Sequence, residues 1–486
     1  MKRTVILTIA LALLPLSGCM VGPKYKTPAA IVAPSFKETP PASFAEQDGW
    51  KTGQPSDTGL KGDWWTIFGD AQLNALEPQV DTANQTIKAA EANFRAARAQ
   101  IGFFRANEAP TIGVGPSISA VRDSAHQPYF NHTLANNGTG NFILPVDLNY
   151  EIDLWGRIRR SVTAAREQAQ ASDADLENAR LSLHAELAMD YFGLRWADAQ
   201  TKLLDDTVKA YESALQLTQD RFEGGAAPQS DVAQAKTQLE QARVQRTDLE
   251  VQRTQFEHAI AVLIGKPPAE LTLAPTPLNL ETPVIPQIPG VVPAVLLERR
   301  PDIAGDERRM ASANEEIGIA QAAYYPTLSI SAIAGFQGTS AANWFNWPSR
   351  FWAVGSSLSQ TVFDAGRRRS TKNITVAQYD ATVANYRQTV LTAFQQVEDN
   401  LAALRVLETE AQQQHQATGA AEQSLDLFQT RYEGGVDTYL QVVTWQTAAL
   451  NNQRNDLDIL QRRLDASVLL IKALGGGWDT TKIPHL

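Results

Sequence analysis

The chain has 486 residues, 43% hydrophobic and 20% charged, with a net charge of −10. That length admits large cores or two to three domains, and the modest Pro and Gly content argues against long disorder. The acidic balance makes a poor nucleic-acid binder, and a single cysteine, Cys19, excludes a disulfide framework and a thiolate metal site.

Residues 1–19 read as an export signal. Lys2 and Arg3 form a charged start, and Thr4 to Leu14 form an apolar run too short to span a membrane. Leu16-Ser17-Gly18-Cys19 then resembles the bacterial lipobox. The resemblance implies cleavage before Cys19 and acylation of its thiol and new amine, enough for stable anchoring. A plain secretory signal with an incidental cysteine is the competing reading. Met20 rather than Asp after the cysteine favours the outer membrane. Cleavage would remove Lys2 and Arg3 and leave the chain more acidic, which fits a cavity that favours cations.

No later stretch has 18 consecutive apolar residues, so a membrane span must be a β-barrel. Residues 20–62 are Pro-rich and extended, and 71–107 look helical. Residues 110–121 read as a strand with Ile112, Val114, Ile118 and Ala120 on one face. From Phe142 to Leu154 every second residue is apolar, and Asp147, Asn149, Glu151 and Asp153 lie between them. A period of two over that length is a strand with one apolar and one wet face, long enough for a membrane barrel. Gly156 ends it. Helix follows to Phe222, a turn at Gly224-Gly225, then a second helix from Gln229 to Gly265. A Pro-rich connector occupies 267–293, and helix resumes from Val295 to Ala323. The order then repeats: strands at Thr327–Phe336 and Phe351–Phe363, Gly366, a long helix, Gly434-Gly435, a long helix and Gly475.

This second pass is an internal repeat. Gly156-Arg157, Arg221-Phe222-Glu223-Gly224-Gly225 and Gly265 recur 210 residues later as Gly366-Arg367, Arg431-Tyr432-Glu433-Gly434-Gly435 and Gly475. The constant spacing predicts helices of equal length in the two halves. The first would run about 100 Å, a length that survives by lateral packing. Leu450, Leu457, Leu464 and Ile471 fall seven apart, and a similar seam in the first half is interrupted by Arg246 and Arg253. Four strands cannot close a barrel, so the chain must be an oligomer.

The start Cys19-Met20-Val21-Gly22-Pro23-Lys24-Tyr25, the Trp64-Trp65 with Phe68 and Leu73, the Arg300-Pro301-Asp302-Ile303 motif and the duplicated turns carry a family likeness. The chain resembles the TolC-type outer-membrane efflux family, in its lipoprotein branch (NodT-like and OprM-like channels). The resemblance implies an α-plus-transmembrane-β-barrel fold: a homotrimer whose twelve-stranded barrel continues into a long periplasmic α-helical barrel. It implies an exit duct for drugs or small toxic solutes, opened by a periplasmic membrane-fusion adaptor coupled to an inner-membrane RND-type transporter. The expected divisions are a signal peptide 1–18, a lipid-anchored equatorial segment 19–70, repeats 71–265 and 296–475, a connector 266–295 and a tail 476–486. A protein-secretion channel and a periplasmic coiled-coil scaffold are the alternatives.

No catalytic constellation is present, no cofactor is implied, and the six histidines lack metal-ligand spacing. The resemblance makes the Gly-Gly turns periplasmic tips for adaptor docking, with Arg221, Glu223, Gly224, Gly225, Arg431, Glu433, Gly434 and Gly435 at the surface. It makes Asp231, Asp437 and Tyr439 candidates for the channel constriction, although Gln441 replaces the acid opposite Asp231. Asp147, Glu151 and Asp153 would line the barrel lumen. Arg157, Arg159, Arg160 and Arg367–Arg369 stand at helix starts, where the dipole disfavours cations; lipid phosphates or the strand acids would explain them. Trp344, Phe345, Trp347, Phe351 and Trp352 suit an interfacial aromatic girdle. Ordinary turns, solvated helix faces and core packing are the plainer readings of these groups.

Overall fold

The structure, a computed structural model, describes residues 20–30, 32–39, 41, 62–122, 124, 138–278, 285–286, 288, 299–478 and 484. The signal peptide, Cys19 and most of the 279–298 connector lie outside these residues. In chain order the elements are α1 (Ala71–Ala83), α2 (Gln85–Arg105), β1 (Thr111–Val114), β2 (Ser117–Val121), β3 (Thr139–Ile152), α3 (Arg157–Glu223) and α4 (Gln229–Leu263). The second half gives α5 (Pro301–Ala322), β4 (Thr327–Gly338), β5 (Arg350–Ser359), α6 (Arg367–Glu433) and α7 (Tyr439–Ala473). Helices α3 and α6 have 67 residues each, and α4 and α7 have 35 each. Each member of a pair starts 210 residues after its counterpart.

Three boundaries differ from expectation, each for a local reason. The helix expected over 71–107 breaks at Asn84. Its side chain accepts from the amides of Thr86 and Ile87 and donates to the carbonyl of Leu263, which makes it a cap between α1 and α2. The strand expected over 110–121 is split by Gly115-Pro116 into β1 and β2. Both pieces pair with β3 in one continuous register, but that register sets Gly115 opposite Pro145 and Pro116 opposite Leu144, two adjacent positions at which one strand or the other has no N–H to give. The strand expected over 351–363 stops at Ser359, because its partner there, Thr327, is the first residue of β4 after Pro326. The first half therefore supplies three strands along two lines, and the sheet runs β1/β2–β3–β4–β5, antiparallel throughout.

The helices leave one end of this sheet and pack side by side, α3 on α4 and α6 on α7, with α3 also against α5 and α7. Leu450, Leu457, Leu464 and Ile471 are buried along α7, as their spacing predicts. The two arginines that interrupt the α4 seam reach across to α3: Arg246 pairs with Asp205 at 3.0 Å and Arg253 with Asp198 at 2.7 Å. Both the arginines and their acids are seven residues apart, so the polar positions follow the same heptad as the apolar ones. The largest core lies where Trp64, Trp65, Phe68 and Leu73 pack on α3 and on the ends of α4 and α7.

Residues 20–30 and 32–39 do not all lie at that level, as the expected equatorial segment would. They form a strap that starts at the foot of the sheet. The Val21 amide donates to the carbonyl of Trp155, Tyr25 donates to Glu307 of α5 at 2.8 Å, and the amides of Lys37 and Glu38 both donate to the Glu398 carboxylate of α6.

Candidate functional site

Directly opposite residues in a sheet share a face, and neighbours along a strand do not. The register therefore sorts the whole sheet. Ile112, Val114 and Ile118 lie beside Phe142, Leu144, Val146 and Leu148. These in turn lie beside Gly338, Phe336, Ala334 and Ala332, and beyond them come Arg350, Trp352 and Val354. Apart from Arg350 at its margin, that face is apolar or small. The opposite face carries Ser117, Ser119, Asn141, Asp147, Asn149, Glu151, Ser329, Ser331, Gln337 and Ser357. Phe351 falls on this second face, opposite Gly335, so it is not part of an aromatic girdle on the apolar side. Ile112, Val114, Ile118, Trp352, Val354 and Leu358 are each more than 60% exposed. An exposed apolar surface of that extent marks a membrane or protein contact. The apolar span of β3, Phe142 to Ile152, is about 28 Å tall at a usual barrel tilt, the thickness of a membrane's hydrocarbon layer.

Of the three acids expected on the wet face, Asp147 sits mid-strand, where the space beside Gly113 accommodates its carboxylate. Glu151 is on the same face at the strand's end, in an ion pair with Arg157 at 2.8 Å. Asp153 is a correction: it lies beyond β3, accepts from the Arg159 amide at 3.0 Å and pairs with its side chain at 3.1 Å. Arg368 pairs with Asp364 at 2.6 Å. Three of the helix-start arginines that the dipole disfavours, Arg157, Arg159 and Arg368, are thus held by local acids. Arg160 is buried, pairs with Glu315 of α5 at 2.6 Å, and donates to the carbonyls of Val21 and Pro23. It clamps the strap at the foot of the sheet, where Met20 packs over Gly156. That glycine has a φ of 79°, and any side chain on it would collide with Met20.

At the far end both helix pairs reverse through matching turns. Gly225 and Gly435 take φ of 71° and 73°, and the amides of Ala226 and Val436 return to the carbonyls of Arg221 and Arg431, a glycine-capped helix end. Glu223, Gly224, Gly225, Glu433, Gly434 and Gly435 are all exposed. The two matching arginines act differently. Arg221 crosses between the repeats, donating to the Tyr432 carbonyl at 2.6 Å with its guanidinium 4.6 Å from that ring's centre. Arg431 stays within its own turn and pairs with Asp437 at 2.7 Å. Asp231 is half-buried in the first turn of α4. Tyr439 is a further correction: it is 2% exposed, packed with Tyr432, Ala235 and Val442, so within one copy it backs the wall and does not line a passage. Burial, with Asp231 nearby, pushes the Tyr432 hydroxyl up.

Two buried polar centres were not legible in the sequence. His184 stacks on Trp65 at 4.6 Å and has Glu77 at 2.7 Å on Nδ1 and Asp81 at 3.3 Å on Nε2. Burial alone would lower the imidazole, but the two carboxylates outweigh it and hold it up at about 9. Burial also pushes Glu77 up to about 7, against the pull of His184. The His184 direction decides the charge state, because each ring nitrogen faces a carboxylate. Asp198, fully buried on α3, joins Arg195, Arg253 and the Thr276 amide. The same two arginines donate to the carbonyls of Ala274 and Leu273, so this centre ties the connector to the helices.

Among the described residues no helix is long and apolar enough to cross a membrane, and no group of three or more acids, histidines or cysteines is placed to hold a metal. The family model for outer membrane efflux proteins matches residues 78–266 and again 292–476. The chain is 30% identical over 475 residues to a probable efflux pump outer membrane protein, TtgC of Pseudomonas putida, covering 97% of this chain and 96% of that one. It is 31% identical over 467 residues to outer membrane protein OprJ of Pseudomonas aeruginosa, covering 96% and 94%. Among solved structures it is similar to the outer-membrane channel OprN, with a TM-score of 0.85 and 27% identity over 95% of this chain and all of that one. The open-state MtrE outer membrane channel of Neisseria gonorrhoeae gives 0.80 and 25%, covering 94% and 98%.

Proposed function

The chain belongs to the outer membrane efflux protein family, and from that premise we propose that it is the outer-membrane exit duct of a tripartite efflux pump for drugs or other small toxic solutes. One observation carries the reading: a four-line sheet with one apolar face and two open edges. Open edges invite further strands, and a membrane tolerates none. Three copies close the sheet into a twelve-stranded barrel, apolar outside and polar within. The helices continue it into the periplasm as a long tube. A coiled-coil scaffold has no use for such a face, and lipidation of Cys19 would fix the strap at the membrane's inner surface.

The periplasmic adaptor docks on the exposed Gly-Gly tips and opens the tube, and the inner-membrane RND-type transporter supplies the energy. Three copies of Asp231 form the acidic narrowing near the tips, with Asp437 held back by Arg431. The Arg221 tie holds the two tips of each copy together, so opening must break it.

The test is a deletion strain. Loss of the gene should raise susceptibility to antibiotics, dyes or organic solvents, and the purified protein should run as a heat-modifiable trimer that conducts ions across planar bilayers. Unchanged susceptibility together with a protein-secretion defect would overturn the efflux reading in favour of a secretion duct.

A further inference from the structure

Residues 339–349, between β4 and β5, do not stand up from the rim. At Gly338 the side-chain direction points to the apolar face, since Gly338 is opposite Phe142, and it meets Asn343 and the backbone of Trp344 there. The Trp344 ring packs edge-on to Phe142 at 5.4 Å, and Phe345 packs on Phe336 at 5.9 Å. Phe142 and Phe336 both belong to the apolar face. The loop is therefore folded down over the outside of the sheet.

The surface this loop presents is aromatic and cationic. Phe345, Trp347 and Trp352 are 61%, 72% and 75% exposed. Arg350, on the apolar side at its outer margin, lies 3.9 Å from the centre of the Trp347 ring and donates to that residue's carbonyl. Residues 338–353 contain no Asp or Glu. Arg122 stands at the same end of the first hairpin, one residue beyond Val121 of β2. Closing the barrel pairs β5 of one copy with the β1/β2 line of the next, antiparallel. The outer ends of both strands then meet, which brings Arg122 of the next copy toward the end of β5 that carries Arg350.

A guanidinium with no acid in its own loop, Arg350, set among exposed tryptophans at the margin of a lipid-facing band and joined by Arg122 of the next copy, matches the headgroup layer rather than water or hydrocarbon. Tryptophan sits at that boundary, and guanidinium binds phosphate with paired hydrogen bonds. We propose that the folded-down β4–β5 loop is a docking surface for a phosphorylated lipid headgroup of the outer leaflet, with Arg350 and Trp347 from one copy and Arg122 from the next. The proposal rests on the barrel reading above.

The test uses the purified full-length trimer in lipid nanodiscs. Wild-type protein is compared with Arg350→Gln, Arg350→Lys and Arg122→Gln for retention of a bis-phosphorylated outer-leaflet glycolipid, by native mass spectrometry. The dephosphorylated glycolipid and inorganic phosphate serve as controls. Wild type should retain the phosphorylated lipid preferentially. Arg350→Gln should cut that preference about tenfold, the worth of a charge-assisted hydrogen bond, Arg122→Gln should cut it by less, and Arg350→Lys should keep part of it. Equal retention of the dephosphorylated lipid, an unaffected Arg350→Gln trimer, or the same effect from inorganic phosphate alone would overturn the proposal while leaving the barrel intact. Failure of the wild type to form a heat-modifiable, conducting trimer would instead overturn the barrel reading and the proposal with it.

Discussion

Replacing Arg221 by Ala removes its hydrogen bond and ring contact across the two repeats at the tips and leaves the apolar packing of Ala235 on Tyr432 and Tyr439 in place. Three terms are lost. The hydrogen bond to the Tyr432 carbonyl, half exposed, contributes about 0.5–1 kcal/mol, the stack on the Tyr432 ring about 0.5–1 kcal/mol, and the charge at the C-terminal end of α6 a few tenths more. Together they come to about 1.5–2 kcal/mol, a factor of about 10–30 between tied and separated tips. Arg431→Ala is the internal control, because it removes a solvent-screened pair within one turn. Such a pair is worth about 0.2–1 kcal/mol, less than about fivefold. Open probability in planar bilayers should therefore rise much more for Arg221→Ala than for Arg431→Ala, and Arg221→Lys should fall between wild type and Arg221→Ala. Equal effects of the two alanine variants, or none from Arg221→Ala, would refute the idea that this contact holds the tips.

Three further outcomes follow from the packing. The His184 imidazole is raised above its usual value, so its contribution, about 2–3 kcal/mol, is full below about pH 6.5 and is lost as pH rises through about 9. Thermal unfolding of wild type and His184→Gln should differ most at pH 6 and least at pH 10, and a gap that widens with pH would contradict the assignment. Asp198→Ala takes the carboxylate from buried Arg195, leaves Arg253 with Glu257 alone and frees the connector amide at Thr276. It should cost about 3–5 kcal/mol, seen as a large drop in melting temperature and early proteolysis near 273–276. On β5, Val354→Arg puts a charge near mid-strand on the exposed apolar face, and under the proposed barrel it should cost about 2–4 kcal/mol per copy, read as loss of the heat-modifiable trimer. Ser357→Arg on the other face should leave the trimer intact.

The long elements were legible because each rests on a period. Alternation marked β3, the heptad marked α7, and the constant spacing between the glycine turns set two pairs of equal helices. What escaped was short-range competition. Asn84 broke a helix with one amide side chain, and two prolines on different strands interrupted a ladder that kept its register. The candidate site was half legible. Position along the duplicated helices located the tips, and the signal separating Arg221 from Arg431 is Asp437, whose counterpart in the first half is Ala227, so only Arg431 has that acid within its own turn. Tyr439 was misplaced because a helix face turned toward a partner helix and one turned toward a passage have the same composition at that point. His184, Glu77 and Asp198 gave no signal, since their partners are brought together only by the fold.

The equal lengths of the paired helices also constrain how this protein can change. A seven-residue insertion in α3 and α4 alone would keep their seam in phase but carry the first tip about 10 Å beyond the second. Arg221 would then have no carbonyl to reach, and three tips of a six-tip rim would protrude. Length can drift only as a shared quantity, altered in both halves by matched multiples of seven. Natural variants of this architecture should therefore gain or lose helix in coordinated steps, and a lone indel in one long helix should be found only where a second one restores the level of the rim.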